Sequence, residues 1–533
     1  MLLDGISFKK TGYFSSLIND YLDENPLLQS FYNRHPNVVN FGEQLKEKTT
    51  HFNENSRKIL VQTLFEQYKN VDASELTLNH IELLSSASTF TITTGHQLNL
   101  FTGPLYFLYK IVSAINLSKE LKKQYPDYNF VPVYWMATED HDFEEINFFN
   151  FKGKKIQWNT KSGGAVGELS TSGLDEVFNL FALELGPGVH AEYLKSLFKS
   201  AYLDHDNLAE ATRYLANELF KDYGLVIIDA NNRALKQQFI PYVKEELFKN
   251  TSFQQVLETS DKLSEVNTDY PIQVTPREIN IFYIKEGLRE RIVFEDGVFK
   301  VLNTSMSWTE SEIEKELNEC PERFSPNVIT RPLYQEVILP NLAYIGGGGE
   351  LAYWFQLKSY FNQVDVPFPI LILRNSVLIE TESQHKKLEK LNISNHDIFL
   401  NQSAFINKKV REISNIDIDF SSQKEALQKQ FEDLYALAKQ TDKSFLGAVK
   451  AQEVKQLKGL EKLEKRLLKA QKKTLADQVN RMTELQNELF PNQSLQERNT
   501  NFSQFYLEHG KQLIPELIKH LNPLTKEFSL LKL

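Results

Sequence analysis

Two short stretches concentrate the side chains that could do chemistry. Glu139-Asp140-His141-Asp142-Phe143-Glu144-Glu145 is the densest polar run in the chain. Carboxylates beside an imidazole can bind a divalent metal, hold a substrate ammonium or act as a general base. Acids opening a helix also complement its dipole, which suits Glu144 and Glu145. Asp140 and His141 point instead to function, because a strand's carboxyl end is a costly place to bury them unpaired. The second stretch runs from Thr93 to Tyr106 and loads His96, Gln97, Asn99 and Thr102 into one turn, with Lys110 just beyond. Gly95 and Gly103 make its bends. A turn of this kind aims free backbone N–H groups and a positive dipole end at an anion.

Three further groups belong to the candidate site. Ile345-Gly346-Gly347-Gly348-Gly349-Glu350-Leu351-Ala352-Tyr353 holds four consecutive glycines, whose entropic cost argues against filler. They admit close approach of a ligand, and the helix starting near Glu350 again offers N–H groups. Asn327 and Arg331 stand next to prolines, which suits preorganised contacts to a carboxylate or phosphate. Arg374 follows an apolar run and puts a cation at a strand end.

The elements that must hold these residues are those of a parallel α/β sheet. Ser88 to Ile92 reads as a buried strand, Pro104 to Gln124 as a helix, and Phe130 to Met136 as the next strand. The intervening helix makes this a βαβ unit, so Gln97 and His141 share one crevice at the sheet's carboxyl edge. Gly224 to Asp229 and Phe368 to Leu373 are further apolar strands. Asp229 either meets a ribose hydroxyl or caps the next helix. Residues 1–85 read mainly as helices. Residues 151–221 form an insertion, a short β piece followed by helices, and 270–303 form short antiparallel strands with a hairpin turn at Asp296-Gly297, a lid or substrate wall. Beyond about 386 the chain turns helical. Leu468, Leu475, Met482 and Leu489 recur every seven residues, as in a coiled coil, with a break between Thr441 and Gly447. Glu527 to Leu533 reads as an edge strand returning to the core.

Composition bounds the function. At 533 residues the chain exceeds one ordinary core, and 41% hydrophobic content is ample for burial. A net charge of −10 argues against nucleic acid and anionic membrane as partners. No apolar run approaches the roughly 20 residues of a membrane span. The N-terminus lacks a signal-peptide pattern, so a cytoplasmic location is expected. One cysteine, Cys320, excludes intrachain disulfides and a cysteine-based zinc site.

These motifs together resemble the bacillithiol biosynthesis cysteine-adding enzymes, often called cysteine ligases. The resemblance rests on Thr94 to Tyr106, Glu139 to Phe143, Ser325-Pro326-Asn327 with Arg331-Pro332, and Leu339-Pro340 with Ile345 to Tyr353. It departs at His96, where the family typically has Gln, and at Gly348, commonly Pro. The resemblance implies an α/β fold: a Rossmann-like core over 1–385 with insertions at about 151–222 and 231–323. It also implies a coiled-coil arm over 386–504 that supports a homodimer, and a segment over 505–533 that returns to the core. The implied reaction joins cysteine to glucosaminyl-malate, with ATP or ADP and Mg²⁺ as cofactors and no tightly bound metal. In an adenylate route Gly95, His96, Thr102, Gly103, Lys110 and Gly346, Gly347, Gly348, Gly349 would cradle phosphate. Asp140 or Glu139 would hold an ammonium or activate the amine, with His141 as base and Gln97 beside them. Arg331 and Asn327 would clamp a carboxylate, with Asn99, Glu350, Tyr353 and Arg374 as further substrate contacts. Two rival expectations stand beside it: a metal-dependent hydrolase built on Glu139 to Asp142, and a nucleotide-sensing coiled-coil interaction protein.

Overall fold

The computed structural model describes residues 2–533 and separates into two compact units, residues 1–379 with 495–533 and residues 380–494. The first is built on five parallel strands: β1 (Thr89–His96), β2 (Asn129–Met136), β3 (Val226–Asp229), β4 (Asn341–Gly346) and β5 (Ile370–Leu373). Their spatial order is β3-β2-β1-β4-β5. This is the doubly wound Rossmann order, in which the connections reverse direction between β1 and β4 and open a crevice at the strands' carboxyl ends.

Alternation along β1 explains its place at the centre. Phe90 and Ile92 enter an apolar cluster with Leu342, Ala343, Ile345, Ile370 and Ile372, packed on Ala114, Leu117 and Leu121 of helix α1 (Tyr106–Gln124). The intervening Thr91 and Thr93 are equally buried, and their hydroxyls donate to Asn341 Oδ1 at 3.2 and 2.8 Å. Asn341 in turn donates to Glu336, which is paired with buried Lys48 at 3.1 Å. The expected first strand, Ser88 to Ile92, therefore runs on to His96, because Thr93 and Thr94 find partners inside the sheet. Thr94 donates to the Ile345 carbonyl.

Two insertions surround the sheet. Residues 148–157 form a hairpin that leads into helices Leu174–Leu185, Val189–Tyr202 and Leu208–Phe220. The second insertion supplies an antiparallel sheet of Ile281–Lys285, Leu288–Glu295, Val298–Val301 and Ser307–Trp308, joined at its other edge by Phe324–Pro326. Its predicted turn is present, with Asp296 at φ 53° and Gly297 at φ 78°. The amino-terminal reading as helix misses one strand: Leu2–Ser7 pairs antiparallel with Glu527–Lys532.

The chain rejoins the first unit at Leu495, ten residues before the expected 505. Polar side chains just past the arm explain the difference. Gln496 bonds both the N–H and the carbonyl of Ile379, and buried Glu497 receives Arg374, Ser376 and the Val377 N–H.

In the second unit, helices Ser421–Ala438 and Lys443–Thr474 pack side by side through Phe431, Ala438 and Val449. Asp442 caps the second of them. Leu468, Met482 and Leu489 are buried. Their helices, Lys443–Thr474 and Ala476–Leu489, pack on Gln402–Ile413. Among the described residues no helix is long and apolar enough to cross a membrane.

Candidate active site

A crevice of about 1100 Å³ opens at the β1/β4 reversal. Of the residues singled out in the sequence, it gathers Gly95, His96, Gln97, Lys110, Glu139, Asp140, His141, Asn327, Arg331, Gly347, Gly349, Glu350, Tyr353 and Arg374. Asn99, Thr102, Gly103, Gly346 and Gly348 do not line it.

The reasons are local. The turn after β1 is covered from the carboxyl-terminal segment: Asn501 Nδ2 donates to the carbonyls of Phe101 and Gly103 at 2.8 and 2.6 Å. The Leu105 N–H at the mouth of α1 is taken by the Thr500 carbonyl. Phe101 and Thr102 both lie in the left-handed region, at φ 47° and 68°, held there by these contacts. Asn99 donates to the Glu145 carbonyl. The α1 end of the expected phosphate cradle is thus closed by the chain itself.

The glycine loop is filled in a different way. It leads into helix α3 (Gly348–Phe355), and the Glu350 carboxylate turns back to accept from the Gly347 N–H at 2.8 Å. The same carboxylate meets Lys110 Nζ at 2.6 Å and the Tyr344 hydroxyl at 2.7 Å. Lys110 also donates to the Gly95 carbonyl. Burial pushes the Lys110 ammonium down from its usual range, whereas Glu350, despite burial, is drawn down by Lys110 and the Gly347 N–H. The anion at this helix start is the protein's own. None of the four glycines has a positive φ; a Cβ on Gly346 would come within 2.9 Å of Leu351, so close packing is what calls for glycine there. Gly348 faces Ile18.

On the opposite wall, Glu139 is not a free base. It pairs with buried Lys236 and accepts from Ser325 at 3.0 Å. Asp140 accepts from Gln97 Nε2 at 3.0 Å and from the His141 N–H at 2.8 Å. Burial works against its charge, but hydrogen bonds from His141 and Gln97 prevail and hold the carboxyl at about 2. His141 Nδ1 lies 2.7 Å from Arg289 Nη1. Arginine only donates, so Nδ1 accepts and the ring proton sits on Nε2. Donor atoms of Asp140, His141 and Asp142 lie within 4.8 Å of one another, a spacing that admits a divalent ion once Arg289 leaves Nδ1.

Asn327, expected as a clamp, is spent on its own loop. Its carbonyl caps the N–H groups of Ile329 and Thr330, and its amide donates to Asn280. Arg331, in the first turn of helix α2 (Thr330–Ile338), differs. Its guanidinium lies between the rings of Trp135 and Tyr344, 5.7 and 5.8 Å from their centroids, and donates to Gln335 and weakly to Tyr353. No carboxylate pairs with it among the described residues. The same holds for Arg277, Arg291 and Arg498, which also line the crevice. These three, with Arg289, escaped the sequence reading: they come from an extended loop, a hairpin and a segment more than a hundred residues downstream, none carrying a recognisable motif. Arg374 is buried against Glu497 at 2.8 Å, and only its Nε is left without a partner.

The family described as "Bacillithiol biosynthesis BshC, N-terminal Rossmann-like domain" matches residues 1–375, and its "C-terminal coiled-coil domain" matches 377–533. The chain belongs to the bacillithiol biosynthesis BshC family. A protein of Flavobacterium johnsoniae is 59% identical over 531 residues, covering all of both chains. One of Cytophaga hutchinsonii is 38% identical, covering 98% of this chain and 97% of its own. One of Lysinibacillus sphaericus is 28% identical, covering 97% and 98%. Each is named "Putative cysteine ligase BshC". Neither a hydrolase nor a nucleotide sensor finds support among these relatives.

Proposed function

We propose that this chain is a carbon–nitrogen ligase that joins the carboxylate of L-cysteine to the amine of glucosaminyl-malate, the last step of bacillithiol biosynthesis. The full-length likeness to the BshC relatives suggests the reaction. The observation that carries it to this crevice is the set of guanidinium groups without carboxylate partners among the described residues, Arg277, Arg291, Arg331 and Arg498, in the crevice that also holds Asp140. Malyl and cysteinyl carboxylates, or a nucleotide's phosphates, complement such a set, and an ammonium complements Asp140. ATP with Mg²⁺ would supply the activation that a carboxylate needs before an amine can attack it. The arginines fit the phosphate role better than the glycine loop, whose N–H already has Glu350.

In this reading Asp140 orients an ammonium by charge, since a carboxyl at about 2 is a weak base. Gln97 fixes its position. His141 becomes a base when Arg289 turns to a ligand anion and frees Nδ1, so proton removal from the attacking amine is coupled to substrate binding. Lys110 and Glu350 set the floor. The arm's exposed Leu434, Leu437, Phe445 and Leu446 suit a homodimer interface, and a cytoplasmic location suits the substrates.

The deciding experiment incubates purified protein with cysteine, glucosaminyl-malate, Mg²⁺ and ATP, with an ATP-free control, and follows thiol product and nucleotide by mass spectrometry. Product with AMP supports an adenylate and product with ADP an acyl phosphate. Absence of product under every condition would count against the ligase reading.

A further inference from the structure

Arg331 hydrogen-bonds only neutral groups among the described residues, and the helix that carries it shows why. Its guanidinium sits where three neighbouring strands end. Trp135 of β2 and Tyr344 of β4 flank it, and a Cβ on Gly95 of β1 would come 3.9 Å from its Nη1. The residue four places on, one turn along α2, is where a carboxylate would pair with it. That residue is Gln335, fully buried, whose Oε1 accepts from Arg331 Nη1 at 3.1 Å.

The amide has one workable orientation. Its Nε2 donates to Glu336 Oε1 at 3.0 Å. Turned over, its N–H groups would face a guanidinium that only donates, and its carbonyl would face a carboxylate that only accepts. Glu336 itself lies about 100° round the helix from Gln335 and is committed elsewhere. Its two carboxylate oxygens receive Lys48 Nζ at 3.1 Å and Asn341 Nδ2 at 2.6 Å, and Lys48 also donates to its backbone carbonyl. Lys48, Gln335 and Glu336 are each at most 2% exposed. The chain thus sets an acid beside the amide but commits its charge to a lysine from another helix, Val38–His51.

A neutral acceptor does here what an acid could not. It fixes the guanidinium against the two rings yet makes no charge-assisted pair that a ligand anion would have to break. A carboxylate in the same place would hold Arg331 as well and neutralise it. We propose that Gln335 is a positioning residue for substrate-anion binding: a neutral spacer between the Lys48–Glu336 ion pair and Arg331 that holds the guanidinium and leaves its charge to a carboxylate or phosphate of the substrate. This deepens the ligase reading and rests on it. It extends the site inward along a hydrogen-bonded chain, Arg331–Gln335–Glu336–Lys48, whose last three members do not line the crevice.

The test titrates the full-length protein by calorimetry with cysteine, glucosaminyl-malate and Mg²⁺-ATP in turn. The ligand of Arg331 is the one that Arg331→Ala weakens about 10- to 100-fold. Gln335→Met and Gln335→Glu both lose the donor to Glu336, so the difference between them isolates a carboxylate facing Arg331. Gln335→Met should weaken that ligand about 3- to 10-fold, because the guanidinium is no longer held. Gln335→Glu should weaken it at least about 10-fold further. In the Arg331→Ala background Gln335→Met should add less than about 2-fold, whereas a merely structural amide would carry its loss into that background. A Gln335→Glu protein that binds the ligand as well as Gln335→Met, or a Gln335→Met loss that persists without Arg331, overturns the proposal. If Gln335→Glu does not fold, the cycle with Gln335→Met decides alone. Arg331→Ala without effect on any of the three ligands also overturns the proposal, and product formation by the wild-type protein then keeps the ligase reading. Failure of the wild-type protein to bind any of them would overturn the ligase reading together with it.

Discussion

Replacing Glu497 with alanine should be among the most damaging single changes in this protein, although the residue lies outside the parallel sheet. Its carboxylate accepts from Arg374 Nη2 at 2.8 Å, from the Ser376 hydroxyl at 3.2 Å and from the Val377 N–H at 3.1 Å. The two charged side chains are 4% and 1% exposed, so water cannot replace the missing partner. Removing one member of a buried ion pair costs about 3–5 kcal/mol, because the other charge stays buried alone. The Val377 N–H adds a stranded donor, but groups in one network do not add independently, so about 4 kcal/mol is expected in all. Glu497→Gln, which keeps the shape and an acceptor oxygen, should lose less. All four tryptophans, Trp135, Trp158, Trp308 and Trp354, fall within the first unit. Urea unfolding followed by tryptophan emission therefore reads that unit separately from the arm. A loss below about 1 kcal/mol for Glu497→Ala would show that the Arg374 charge is not held by this pair, and the argument would fail.

Three other perturbations follow from the same geometry. Arg331→Ala should raise KM for the anionic substrate about 10- to 100-fold while moving unfolding stability by no more than about 1 kcal/mol, since the side chain has only neutral partners to lose; steady-state kinetics and a melt check both halves. Asn501→Ala strands the Phe101 and Gly103 carbonyls and should cost about 2–3 kcal/mol, with faster hydrogen exchange around residues 100–103 as its signature. Asp140, ordinarily near 3.8, is held at about 2 in the fold, so its contribution to stability is present above pH ~4 and is lost as pH falls toward 2. Asp140→Asn should flatten the acid limb of a stability profile taken by urea titration between pH 2 and 5.

Much of the sheet was legible because its strands are apolar runs ended by polar residues, and each of the four predicted core strands ends in a turn, cluster or charged residue that the sequence also marks. The fourth strand in chain order, Asn341–Gly346, carries no strand signal of its own, since its Asn and Ala are poor strand formers and it is the sheet that makes them one. Leu2–Ser7 was invisible for a related reason: its partner lies at the other end of the chain. At the site, residue type told which side chains carry chemistry but not which were already engaged. Glu139 looks like a base until Lys236 is placed beside it, and the glycine loop looks like an open anion site until Glu350 folds back into it. Those partners come from other elements, and no local pattern announces them.

The pairing of Leu2–Ser7 with Glu527–Lys532, and the fastening of the β1 turn by Asn501, also set a timetable for synthesis. At about 5–20 residues per second the ribosome takes roughly half a minute to two minutes to make this chain. The first strand waits through nearly all of that interval for its neighbour, and the loop after β1 waits until the whole helical arm has been made. The turn after β1 is therefore fastened late, and a chain stopped within the arm would leave Leu2–Ser7 as an unpaired strand for chaperones to hold.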